Sequence, residues 1–177
     1  MLPQSKIQNP KSKITIDELN RMSEEAFVAV LGAVFEDTPA IAQKAWYNKP
    51  FADVAQLHQS MVSVVRNLNA DEQLALIKAH PDLGSKAKMA QASVKEQAGA
   101  GLDKLTLDEC DRFLTLNQAY QEKFGFPFII AVKNLAIIDI LDAFERRLQN
   151  SIEVERQQAL EEIFAIALFR LLELLID

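Results

Sequence analysis

The chain reads as an all-α protein: a single compact domain of about eight or nine helices behind a flexible N-terminal arm. Three observations predict this. Apolar positions recur at intervals of three and four rather than two. Only five glycines and six prolines interrupt the 177 residues. Helix-start signals repeat along the chain: Thr15 with Glu18, Ser93 with Glu96 and Thr106 with Glu109 have capping-box spacing, and Asn69 with Glu72 resembles it.

The elements follow in order. Residues 1–13, with Pro3, Pro10 and several polar side chains, read as the arm, and 14–177 as the domain. The Thr15 box opens a helix near 16–21, Ser23 one near 24–36, and Asp37 one near 39–47. Asp53 caps a helix near 53–68 whose apolar stripe is Val54, Leu57, Met61 and Val65; His58 lies beside that stripe and reads as a packing residue. The Asn69 box opens 70–79, where Leu74 and Ile77 keep helical spacing until Pro81 forces a stop. Further helices are predicted near 86–98, 107–123 and 129–148, with a last one from about 152 to 176. No strand alternation, internal repeat or dividing linker is evident.

Composition narrows the function. Apolar residues make up 49% and charged ones 25%, ordinary for a soluble globular protein large enough to bury a core. A net charge of −6 without a basic cluster excludes a nucleic-acid surface. One cysteine, Cys110, excludes an internal disulfide and suits a reducing compartment. With two histidines, the set is poor in zinc ligands, and no metal site is expected. Met1–Lys6 has no apolar core and does not read as a secretory signal. Ile163–Ile176 carries Arg170 and Glu173 and is too short to span a bilayer. A cytoplasmic protein is expected.

Four stretches hold candidate chemistry. In Ala79-His80-Pro81-Asp82-Leu83-Gly84, Pro81 holds His80 at a helix exit, its ring expected near the surface, with Gly84 allowing a sharp turn. Histidine exchanges a proton near neutrality, although at a helix end it also serves as a simple dipole partner. Ser93-Val94-Lys95-Glu96-Gln97 is either a reciprocal cap or a platform presenting side chains, since Gly99 and Gly101 break the helix soon after. In Phe124-Gly125-Phe126-Pro127-Phe128-Ile129-Ile130, Gly125 suits the C′ position. Three aromatics there make an apolar wall, and backbone N–H groups at the next helix start would face an anion. Arg170 sits on a mostly apolar helix face and needs a partner: Glu173, another protein acid, or a ligand carboxylate. Arg146, with Asp142 one turn back, reads as solvated.

Together these stretches resemble one family, the 2-oxo-4-hydroxy-4-carboxy-5-ureidoimidazoline (OHCU) decarboxylases of urate breakdown. The matching pieces are His80–Gly84, Ser93–Gly99 and Phe124–Lys133, followed by a C-terminal pattern through Arg147, Glu155, Glu162 and Arg170. Asn134 stands after the lysine where many bacterial relatives carry glycine. The resemblance implies an all-α homodimer that converts OHCU to S-allantoin and carbon dioxide without metal or organic cofactor, by decarboxylation and stereospecific protonation. Carried over by position, His80 is the catalytic acid/base, Glu96 its acidic companion and Arg170 the substrate-fixing cation. Pro81, Ser93, Gln97 and the run Phe126, Phe128, Ile129 and Ile130 would bind substrate. Two other readings stand beside it: a cofactor-free lyase or isomerase acting on another carboxylated heterocycle, and a non-catalytic helical interaction domain. The last predicts no cavity where these side chains converge.

Overall fold

The computed structural model describes residues 12–84 and 105–177. Among them are eight helices: α1 (Ile16–Asn20), α2 (Glu24–Leu31), α3 (Pro39–Trp46), α4 (Val54–Arg66), α5 (Ala70–Ala79), α6 (Leu107–Phe124), α7 (Ile137–Arg147) and α8 (Ile152–Leu174). The expected helix at 86–98 lies outside the described residues, as does most of the expected arm.

Local chemistry accounts for most helix starts. The Thr15–Glu18, Asn69–Glu72 and Thr106–Glu109 boxes are all closed reciprocally. Ser23, Asp53 and Ser151 each accept a hydrogen bond from the backbone N–H three residues on, an arrangement worth about 1 kcal/mol per helix. The start of α3 differs from expectation. Thr38, not Asp37, occupies its N-cap, and no side chain bonds there; Pro39 begins the helix instead, needing no N–H partner.

Helix α8 is the axis of the fold. Its buried face, from Glu155 through Ile163 and Ala167 to Leu171, receives α4 and α5, while α2, α3 and α4 pack in succession and α6 pairs with α7. His58 Nε2 donates to the Phe164 carbonyl at 2.8 Å and ties α4 to α8, a packing role. A second cluster of aromatics, Phe113, Tyr120, Phe128 and Phe144, fills the space between α6 and α7; Phe128 and Phe144 stack with centroids 3.7 Å apart.

Three expectations change. The chain does contain strands: β1 (Ile14–Thr15) pairs in parallel with β2 (Leu175–Ile176) and clasps the two ends of the described fold together. Each is two residues long, too short for alternation to show. The helix placed at 24–36 stops at Leu31, with Gly32 as its C-cap; a Cβ on Gly32 would lie 3.3 Å from Pro39 Cβ and 2.6 Å from the Val28 carbonyl, so glycine lets the next helix approach. The helix placed at 129–148 begins only at Ile137. The residues before it run as an irregular wall, described next.

Candidate active site

His80 is the C-cap of α5. Because Pro81 follows, its backbone takes extended dihedrals, φ −72° and ψ 140°. The ring then folds back over its own helix: Nδ1 lies 2.9 Å from the Leu76 carbonyl, so this nitrogen carries the hydrogen and donates it. Nε2 is left as an acceptor. The ring is not at the surface, as expected, but 6% exposed. Burial lowers the His80 pKa; the bond to Leu76 and the charge of Glu36 act in the opposite sense, and Arg170 reinforces the lowering. His80 is therefore a neutral imidazole at pH 7 with a lone pair on Nε2.

The turn expected just beyond Gly84 lies outside the described residues. Asp82 Oδ1 accepts from the Gly84 N–H at 2.9 Å, and a Cβ there would stand 2.1 Å from Asn117 Nδ2. The glycine permits close approach to α6.

Arg170 projects from α8 toward the turn after α2. Its partner is Glu36, at 2.5 Å from Nη2 to Oε1, while the exposed Glu173 takes no part. Nη1 donates to the Val34 carbonyl at 3.0 Å, with the Ala33 carbonyl at 3.4 Å. Glu36 Oε1 also stands 4.0 Å from His80 Nε2. One carboxylate thus faces both candidate catalytic groups. The sequence reading missed it: Glu36 is 134 residues from Arg170, and its only local sign is an acidic residue at the end of an apolar run.

The wall opposite is Phe128–Ile130. Helix α6 ends at Gly125 in the left-handed conformation (φ +73°), and Pro127 prevents its continuation. From there the backbone is irregular, fixed at two points. Arg147 Nη1 donates to the Ile129 carbonyl at 2.7 Å, and Glu162 Oε2 accepts from Ala131 N–H at 2.9 Å. Arg147 is itself buried, bonded through Nε to Glu155 Oε1 at 2.6 Å and lying over the Phe128 ring. Tyr120 and Asn150 complete the set of donors to Glu155. The wall ends in a turn at Asn134, whose φ of +66° is one that glycine adopts freely and asparagine tolerates. That geometry explains how either residue fits after Lys133.

His80, Pro81, Arg170 and the Phe128–Ile130 wall enclose one cavity of about 160 Å³, with Glu36 at its edge and Leu83, Val132 and Ile166 adding apolar surface. This is below the roughly 300–1,000 Å³ of drug-sized sites and suits a small molecule. Phe126 is not in its lining; it packs behind the wall on Tyr120 and Phe124, with centroids 5.9 Å away in both cases. Ser93, Glu96 and Gln97 lie outside the described residues. Among those described, no cluster of three or more histidine, cysteine or acidic side chains is placed to hold a metal, and no helix is long and apolar enough to cross a membrane. Arg146 is exposed, as expected.

Against this geometry the relatives are informative. The profile of the OHCU decarboxylase family matches residues 20–172. The chain belongs to the OHCU decarboxylase family. A Halalkalicoccus jeotgali protein named 2-oxo-4-hydroxy-4-carboxy-5-ureidoimidazoline decarboxylase is 42% identical over 163 residues, covering 92% of this chain and 93% of its own. The uric acid degradation bifunctional protein PucL of Bacillus subtilis is 43% identical over 163 residues, 92% of this chain but 33% of that longer protein. Among solved structures, that of an (S)-allantoin synthase superposes with a TM-score of 0.76 at 29% identity, covering 92% of this chain and 54% of the other. This OHCU decarboxylase family member therefore shares its fold with an allantoin-forming relative over nearly its whole length.

Proposed function

We propose that this protein converts OHCU to (S)-allantoin and carbon dioxide in urate breakdown. The observation that carries the reading is the convergence of a neutral His80 and the Arg170 guanidinium in one small cavity walled by Phe128–Ile130. An interaction domain would not need that convergence. Membership of the OHCU decarboxylase family supplies the substrate class.

The substrate's name sets the bonds. One ring carbon bears both the hydroxyl and the carboxyl, and its neighbour bears the ureido group. When the bond to the carboxyl breaks, carbon dioxide leaves and the electron pair moves between these two carbons. The neighbour's carbon–nitrogen double bond gives its electrons to nitrogen, which takes a proton from solvent. The resulting enol becomes a ring carbonyl as its hydroxyl proton departs and the ureido-bearing carbon gains one. His80 Nε2, an acceptor without a hydrogen-bond partner among the described residues and 4.0 Å from Glu36, takes the hydroxyl proton and returns it to one face of that carbon. Delivery from a fixed ring sets the configuration.

Arg170 holds an anionic or carbonyl oxygen of the substrate through N–H groups that its protein partners leave over. Five N–H bonds are available to a guanidinium, and among the described residues only Glu36, Val34 and Ala33 accept from it. The N–H groups of the Phe128–Ile130 wall face the developing oxyanion. By family resemblance Glu96 assists His80, and Ser93, Gln97 and Pro81 bind substrate. On the same ground the enzyme acts as a homodimer with no cofactor; its single cysteine suits the reducing cytoplasm.

The test is an assay on freshly generated OHCU, following its disappearance and the circular dichroism of the product. Accelerated loss with S-allantoin accumulating supports the proposal; decay at the uncatalysed rate to racemic allantoin overturns it.

A further inference from the structure

Glu36 stands in the turn between α2 and α3 with φ +46°. A non-glycine residue is held in this left-handed region against its own preference, which is tolerated where surrounding contacts demand it. Here the demand is visible. The turn supplies three acceptors to Arg170: the Glu36 carboxylate at 2.5 Å and the carbonyls of Val34 and Ala33 at 3.0 and 3.4 Å. They hold the guanidinium of a residue that, with Glu36, lines the cavity. The same Glu36 oxygen is 4.0 Å from His80 Nε2, too far for a bond to the neutral ring but close enough to attract an imidazolium.

We propose that Glu36 is a positioning residue for decarboxylation: it aims the Arg170 fork at the substrate and receives His80 when the ring carries a proton. This rests on the decarboxylase reading. Glu36 then has two separable jobs. Its contact with Arg170 governs substrate binding, and its charge governs the ease with which His80 takes a proton. Arg170 and Glu36 are the charged groups among the described residues that act on His80.

Four variants separate these jobs from a merely structural one. Glu36→Gln keeps the shape and removes the charge. It is expected to lower kcat/KM about 10- to 100-fold, the scale of a hydrogen bond between charged groups. The acid limb of the pH–rate profile should move to lower pH, because the charge that favours the imidazolium is gone. The His80 ring, titrated by NMR, should move the same way; the chain has only two histidines, so His58→Asn assigns it. Glu36→Asp should restore the position of the acid limb while KM stays raised. Glu36→Gly and Glu36→Ala should both raise KM, yet the glycine variant should have the higher Tm, because it relaxes the left-handed backbone.

Wild-type kcat/KM in all four variants would overturn the proposal. So would a Glu36→Gln protein in which activity and Tm fall together while the His80 titration stays put. If the wild-type enzyme did not turn over OHCU, the functional reading would fail. The His80 titration would then still decide whether Glu36 acts on the ring.

Discussion

At the scale of single residues, the account turns on which form of His80 the fold maintains. The Nδ1–H bond to the Leu76 carbonyl selects the tautomer, and burial disfavours the charged ring. Two consequences follow with the same sign. The neutral ring is the base, so kcat/KM should fall as pH drops through the lowered pKa of His80, with an acid limb below the ordinary histidine value near 6.5. Stability is linked likewise: the unfolded chain binds this proton more readily, so the His80 contribution is fully present above about 6.5 and is lost as pH falls below it. A His80→Gln protein should lose less stability than wild type between pH 7 and 5, measured by urea denaturation. A wild-type profile with no acid limb in that range would count against a neutral base. His80 and Arg170 were legible in the sequence because each breaks a local pattern, a proline-stopped helix and a charge on an apolar face. Glu36 was not, because what makes it significant is a pairing across 134 residues.

At the scale of elements, capping chemistry set most boundaries and was readable wherever the cap is a side chain. It failed at the wall. Ile129 to Leu148 has apolar spacing compatible with a helix, yet the first third of it is not helical: Arg147 and Glu162 claim the backbone of Ile129 and Ala131. Propensity yields there to two long-range hydrogen bonds, whose donors and acceptors the local pattern does not identify. The turn before the wall makes a clean test of backbone cost. Gly125 has φ +73° and no atom within 4 Å of a built Cβ, so Gly125→Ala carries a conformational penalty alone. A loss of about 1 kcal/mol is expected by chemical denaturation, with KM unchanged. No loss at all would mean the turn has another conformation in solution.

At the scale of the whole molecule, one buried charged cluster joins three helices to the site. Glu155 on α8, fully buried, collects Tyr120 from α6, Arg147 from α7 and Asn150 from the loop between α7 and α8. Arg147 passes this order on to the wall. Burial and the bond to Glu155 raise the Tyr120 pKa, so the phenol stays a donor at any working pH. Arg147→Met should cost about 3–5 kcal/mol, because it leaves a buried carboxylate without its cation. The double variant with Glu155→Leu should recover part of that stability in the same denaturation experiment. If the single and double variants were equally stable, the cluster would not be holding a charge. The all-α class was readable from periodicity and caps alone. The way the cluster shapes a cavity was not, since it depends on four residues brought together by packing.

The central claim is that the His80 ring carries the proton that sets the configuration of the product. It is tested most directly by comparing wild type and His80→Asn on freshly generated OHCU, with the circular dichroism of allantoin as readout. The wild type should give S-allantoin, and the variant a kcat lower by about 10²-fold or more, with product approaching the racemate and the fold unchanged by far-ultraviolet dichroism. A folded His80→Asn protein that still made S-allantoin at the wild-type rate would contradict it.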